Sequence, residues 1–373
     1  MIHEASLHFR RRAALCLALA LLAGAGSVLA ADLCATGGLG KGRGWVAGVD
    51  GDSTSPDPDP VGGMGGTGIV ADARRSIGTV IGTVTRFGSI CVNGIEIEFN
   101  DGVPITVRGE RATAAAIGLG QVVRVATDLK TGHPVARSIA TEDAVSGPVT
   151  TRDTASQTFA VMGRTVRMGR DSMVALSGPV VPDIGTHVTV SGIAQPDGTV
   201  VASRLEYRDP RTDVHVTGLG SRFRWRVHRR GRRDGASSDG DDGRRYAAGA
   251  EVSVSGRWQD DELRAITVTR DPLTPGPGPE SGWVSLEGFY VRCEGDSSSH
   301  AVSGIPVTAA ASMTPGQWVG RRVVVLGTWR QDATLEIVGI GTSSLDESGE
   351  GAPAPALQTG LCRPPSSQRA GDQ

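Results

Sequence analysis

A glycine-punctuated pattern, G-x-x-V-x-V, recurs four times along this chain, at Gly120–Val125, Gly185–Val190, Gly249–Val254 and Gly320–Val325. In the last three copies a second glycine follows two residues later, at Gly192, Gly256 and Gly327. Repetition at intervals of roughly sixty residues means several copies of one small unit. Each copy reads as a strand whose valines share one buried face, so Val123, Val125, Val188, Val190, Val252, Val254, Val323 and Val325 are the expected core. The chain holds 53 glycines among 373 residues, with only six Trp, three Tyr and six Phe. That balance suits many turns and several thin cores better than one thick core.

The first thirty residues read as a targeting segment. Arg10, Arg11 and Arg12 form a basic start, and Ala13–Gly24 is an apolar core too short to span a bilayer. Val28-Leu29-Ala30 supplies small residues for cleavage after Ala30. No later segment is long and apolar enough to cross a membrane, so a periplasmic or secreted mature chain is expected. The formal net charge of −2 supplies no global field for a polyanionic partner. Four cysteines remain after cleavage: Cys34, Cys91, Cys293 and Cys362. Export makes two disulfides the expectation, with three connectivities open. Shorter loops cost less entropy to close, which favours Cys34–Cys91 and Cys293–Cys362.

The chain divides into an arm rich in Gly, Asp and Pro (31–76) and four β units with joints between them. Segment A is 77–143, segment B 144–209, segment C 214–271 and segment D 282–342, with a Pro/Gly linker at 272–281 and a low-complexity tail at 343–373. Segment A opens with Gly82–Val92, followed by Asn93-Gly94, whose left-handed conformations suit a tight turn into Ile95–Phe99. Segment B repeats this order with Val145-x-Gly147 and Phe159–Gly163. Segment D repeats it with Val284-x-Leu286-x-Gly288 and Val302–Ile305. About five short strands in some sixty residues fit a small closed barrel of the OB or SH3-like type. The predicted fold class is therefore all-β, as four tandem OB-like or SH3-like barrels.

Phe87-Gly88-Ser89-Ile90-Cys91-Val92-Asn93-Gly94, the downstream Gly120-x-x-Val-x-Val, and the joint Val145-Ser146-Gly147-Pro148-Val149 resemble the bacterial domain of unknown function 5666. The Gly-rich lead Gly62–Ile69 is similar to one that often precedes such domains. The likeness is strongest over segments A and B, weaker in D, and confined to the framework in C. It implies architecture and export, with no catalytic residues to carry over.

Local motifs for chemistry lack their context. Gly63-Met64-Gly65-Gly66-Thr67-Gly68 fits G-x-G-x-x-G, but Pro-Asp repeats precede it and a β unit follows, so the helix that would face a pyrophosphate is missing. Gly51-Asp52-Ser53 and Gly295-Asp296-Ser297 have no accompanying Asp-x-x-His block. His133, His187, His215, His228 and His300 are isolated in sequence, and the cysteines have no metal-ligand spacing. Asp50, Asp52, Asp57 and Asp59 fail the EF-hand pattern, and Asp239, Asp241 and Asp242 pose the same calcium question.

Segment C carries the sharpest anomaly. Arg222, Arg224 and Arg226 alternate with Phe223, Trp225 and Val227, and Arg229, Arg230, Arg232 and Arg233 extend the run to seven arginines in twelve residues. On a strand, the first three would share one face and could grip phosphate or carboxylate groups. Solvated arginines matched by Asp234, Asp239, Asp241 and Asp242 are the competing reading. These features predict a non-enzymatic envelope protein without a cofactor, a binding or structural module whose partner is an envelope protein or glycan. Two alternatives are an anion binder for polysaccharide, lipopolysaccharide or DNA through Arg222, Arg224, Arg226, Arg229 and Arg230, and a hydrolase with its site between barrels.

Overall fold

A computed structural model describes residue 34 and residues 46–47, 77–128, 134–175, 178–210, 213–219, 225–227, 251–273, 282–293, 296–309, 315–346 and 359–360. Segment B supplies five strands: Val145–Asp153, Thr158–Val161, Arg164–Ala175, His187–Ala194 and Val200–Arg208. The first pairs with the second and the fourth, the second with the third, the third in parallel with the fifth, and the fifth with the fourth. The circuit is closed in the order 1-2-3-5-4-1, a five-stranded barrel of OB type. Alternation along each strand places Val145, Val149, Phe159, Val161, Val166, Met168, Val188, Val190, Val200 and Leu205 in one core. Met162 and Gly163, at φ 50° and 77°, make the tight turn between the second and third strands.

The same circuit is traced in segment D by Trp283–Cys293, Asp296–Val302, Ile305–Ala309, Arg322–Trp329 and Leu335–Thr342. In segment A it runs through Ile77–Arg86, Ile90–Val92, Ile95–Ile97, Val122–Asp128 and Val135–Thr141. There, a single parallel bridge between Glu98 and Val135 links the third strand to the fifth. In segment C, Asp213–Leu219, Glu251–Gln259 and Glu262–Arg270 pair in series. Trp225–Val227 lies parallel to the last of these, the place a third strand takes in the other circuits.

The repeated glycines have a physical cause. Gly120, Gly185 and Gly320 sit at φ 81°, 85° and 80°, a region open to glycine and strained for most side chains. Their amides donate to the carbonyls of Val84, Val149 and Tyr290 at 2.7–2.8 Å, and the next residue's carbonyl accepts from the amide of the same partner. This exchange pins the fourth strand to the bend of the first. The eight signature valines are all at 0 % exposure. The second glycines, Gly192, Gly256 and Gly327, mark a bulge between the fourth and fifth strands. A Cβ there would overlap the carbonyl oxygen of Val201, Arg264 or Glu336 on the facing strand. Gly249 lies outside the described residues.

Closure does not use every edge. The first strands of A and D pair with each other in parallel, Ile77–Ile81 against Trp283–Leu286. Those of B and C pair antiparallel, Val145–Ser146 against His215–Val216. Sheets therefore continue from one segment to another, where self-sufficient barrels would each stand alone. The cores follow suit: B and C share one cluster, and Val122, Ile193, Val201, Phe289, Val291 and Ala301 form another across A, B and D.

The Cys34–Cys91 disulfide is present, with Cα atoms 5.6 Å apart. Cys293 is also disulfide-bonded. Cys362, its expected partner, lies outside the described residues, but Thr359–Gly360 pairs in parallel with Arg292–Cys293 two residues away from it in the chain. Residues 1–30, the expected targeting segment, lie outside the described residues too. No helix among the described residues is long and apolar enough to cross a membrane.

Replacing Gly192 or Gly327 by alanine should cost about 2–3 kcal/mol, because the obstructing atoms are backbone and the strands must part. Gly316→Ala, which meets nothing within 4 Å, should stay within about 0.5 kcal/mol of the parent in urea melts. Equal effects at the three sites would refute this account of the signature.

Candidate functional site

Where the segments meet, they leave a cleft of about 440 Å³. Its apolar floor comes from Val122 of segment A, Ile193 of B, Phe289 and Val291 of D, and Leu273 at the end of C. Its rim is made by the hairpin loop Ala194–Thr199 and by the two tight turns at Gly163–Thr165 and Ser303–Ile305. These loops stand where they do because each caps a strand pair in a closed barrel, so the barrel cores fix their positions. Four carboxylates, Glu142, Asp197, Asp271 and Glu287, and the guanidinium of Arg164 belong to the lining, and Glu142 and Glu287 are the two that tie segments together.

Glu287 and Arg322 form a buried ion pair, Oε1 to Nε 2.9 Å, with side chains 3 % and 2 % exposed. The carboxylate also accepts the Thr83 amide at 2.8 Å and the Ser343 hydroxyl, while Arg322 donates to Thr83 Oγ1 at 2.9 Å. The pair therefore bolts segment A to segment D. Burial pushes the Glu287 carboxyl upward, but Arg322, Ser343 and Thr83 together outweigh it and hold the group below the usual carboxylate range. Asn93, at the tight turn of A, adds a second bolt by donating to the Ile81 carbonyl at 2.9 Å and to Ser285 Oγ at 3.0 Å.

At the joint between A and B, His215 of segment C is 2 % exposed. Its Nε2 lies 2.8 Å from Glu142 Oε2, out of line for a hydrogen bond, and its Nδ1 lies 2.9 Å from Ser255 Oγ. The neighbouring Asp143 is held above its ordinary value, chiefly by burial; Arg108 and His215 oppose that shift while Glu142 and Glu206 add to it. Ser, His and Glu in line evoke nucleophilic catalysis. Here, however, Ser255 is not among the cleft-lining residues and the imidazole is sealed from solvent. The arrangement works as a joint: Thr217, one turn of the pleat from His215, donates its amide to the Ala144 carbonyl and its hydroxyl to the Asp143 carbonyl, both at 3.1 Å.

The residues singled out from sequence fare unequally. Arg222, Arg224, Arg229 and Arg230 lie outside the described residues. The backbone of Arg226 is in the strand Trp225–Val227, opposite Arg264. His133, His228 and the aspartates Asp50, Asp52, Asp57, Asp59, Asp239, Asp241 and Asp242 are also outside. His187 is partly buried, which pulls its pKa down, and His300 stacks at 5.3 Å from Tyr290. No group of His, Cys, Asp or Glu among the described residues is arranged to hold a metal ion. Sequence reasoning missed Glu142, Glu287 and Arg322, since nothing local distinguishes a buried charge from a surface one.

Glu287→Gln should lower stability by about 3–5 kcal/mol, because it strands the buried Arg322 guanidinium. The double variant with Arg322→Met should recover part of that loss. Since Glu287 titrates low in the folded chain, its contribution is present at neutral pH and lost as pH falls through its depressed folded value. Asp143 has the opposite sign. Any advantage of Asp143→Asn over the parent should therefore be larger at pH 7 than at pH 4 in urea melts, and a pH-independent difference would contradict the assignment.

No curated protein and no solved structure matches the chain. Residues 146–206, which span most of the closed barrel of segment B, match the family described as Domain of unknown function (DUF5666).

Proposed function

We propose that this protein is an exported, non-enzymatic binding module of the bacterial envelope, and that the cleft between its segments takes a small ligand. The observation that carries this reading is the convergence of segments A, B and D, with the end of C, on one concavity of about 440 Å³. That volume lies within the ~300–1,000 Å³ of small-molecule sites, which pair an apolar lining with a few placed polar groups. The charged groups of the lining already have partners: Glu287 holds Arg322, Glu142 faces His215, Arg164 donates to the Thr217 carbonyl, and Asp197 and Asp271 accept from Thr199 and from the Leu273 amide. An uncharged ligand with an apolar face suits such a lining, gripped at the rim by Gln195, Thr199 and Ser303. The presence of a disulfide and a leader-like first thirty residues support export.

Substituting tryptophan for Ala194, which lines the rim and is partly exposed, fills the cleft without touching a core. The mature protein recovered from envelope extract should carry a small molecule by native mass spectrometry, and A194W should carry none. Equal loading of both proteins, or none in either, would reject the cleft as the binding site.

A second reading, anion binding through segment C, is favoured by strand register. Arg226 is paired with Arg264, and Arg264 with Arg257, so three arginines occupy one row across adjacent strands, ending at Asp213. Like charges directly opposite one another are unfavourable; Asp260 already pairs with Arg264 at 3.0 Å, and an anion bridging the row would relieve what repulsion is left. Affinity for heparin should then fall steeply with salt. Replacing Arg222, Arg224 and Arg226 by serine should weaken retention while segment C stays folded. Wild-type retention of that triple variant would dismiss this surface.

A further inference from the structure

The fifth strand of each closed circuit has a first half and a second half, and the partners of the second half differ between segments. In segment A the third strand touches the fifth at Val135 through Glu98 and then, after an excursion, again at Ile139–Thr141 through the separate strand Ile105–Val107. In segment B one long third strand does both: Val166–Met168 pairs with Val200–Ala202, and beyond an irregularity Met173–Ala175 pairs with Arg204–Glu206. In segment D the third strand, Ile305–Ala309, pairs with the first half, Val307–Ala309 on Leu335–Ile337, and among the described residues of D none from the third strand onward to Trp318 pairs with the second half. The spacing that leads from Val135 to Ile139 and from Val200 to Arg204 leads in D from Leu335 to Gly339. Gly339 and Ile340 are where the chain's own arm arrives: Ala47 pairs with Gly339 and Val46 with Ile340, antiparallel.

We propose that the half edge at Gly339–Ile340 is a strand-acceptor site, and that the arm around Val46 and Ala47 fills it in cis as a donor strand. The site is built, since Ile337 and Ile340 anchor it with 1 % exposure each and its other edge is paired to Val325 and Leu326. Backbone amides at such an edge need a partner. The occupant follows from the chain itself. Cys34, upstream of the donor residues, is bonded to Cys91 of segment A, so the arm is tethered to A and paired to D. The ligand class is an extended peptide with small or β-branched residues, recognised through main-chain hydrogen bonds by β-augmentation.

Hydrogen exchange of the oxidised mature chain tests this. Ala47→Pro, which cannot pair as a strand residue, should speed exchange severalfold across 337–341. It should leave 139–141 and 204–206 unchanged, because those half edges are filled from within their own segments. Unchanged exchange at 337–341 would overturn the proposal. Independently, a labelled peptide of residues 41–52 should bind a variant lacking residues 31–60 and restore its protection, whereas the same peptide carrying A47P should not. Equal behaviour of the two peptides would overturn it as well. Protection in the parent chain that rises with protein concentration would show that the donor comes from a second copy and refute the cis assignment. Should the truncated variant fail to fold, the Ala47→Pro comparison alone decides.

Discussion

The structure depends on the divided duty of each first strand. In a five-stranded circuit this strand must serve the fourth strand with one half and the second strand with the other, so it bends where Val84, Val149 and Tyr290 meet the signature glycines. The half before the bend keeps a second edge, and backbone groups left without a partner away from water are costly. Segments A and D meet that demand by pairing their first strands in parallel, and B and C by pairing theirs antiparallel. The chain order A-B-C-D is thereby turned into two paired bodies, the outer segments on one side and the inner on the other. Everything between them, including the cleft, follows from that arrangement.

The parallel A–D edge is held in register by more than main-chain bonds. Thr83, Glu287, Arg322 and Ser343 form one satisfied polar network across it. A buried ion pair adds little net stability over well-packed apolar groups, because desolvation offsets its attraction. Its effect is selective: a slip of one residue would flip the side chains to the opposite face and leave a buried charge without a partner. The antiparallel B–C edge has its own polar joint in Glu142, His215 and Ser255. Glu142 and Glu287, which are buried at the cleft wall, are thus best understood as the backs of assembly joints, which is why the proposed ligand chemistry rests on the floor and rim.

Small barrels need support from one another. Sixty-residue units bury too little surface to be robust alone. Here they gain from shared cores, from inter-segment sheets and from disulfides that anchor the arm at Cys91 and involve Cys293 near the tail. The joint at Gly120 illustrates how closely segments approach. A Cβ there would also run into the backbone of Ser203 in segment B, whose hydroxyl donates to the Gly120 carbonyl at 2.5 Å. One glycine therefore answers both to its own barrel and to its neighbour.

The local elements could be read from the order of residues alone. Strand alternation, the tight turn at Asn93-Gly94 and the buried signature valines were legible because each depends on residues close in the chain or on a pattern with a fixed period, and the Cys34–Cys91 bond because few cysteines are present and the shorter loop costs less entropy to close. Even the absence of a second glycine in segment A has a local counterpart, since Thr127 stands at its bulge and donates its hydroxyl to the Ile77 carbonyl. Which edges join, the burial of Glu142 and Glu287, and the cleft between the segments emerge only once the chain is folded. Those outcomes depend on the matching of strand edges and charges some two hundred residues apart, such as Thr83 with Glu287. No periodicity in a linear sequence encodes a partner at that distance, because the pairing is selected by shape and polar satisfaction once the barrels exist.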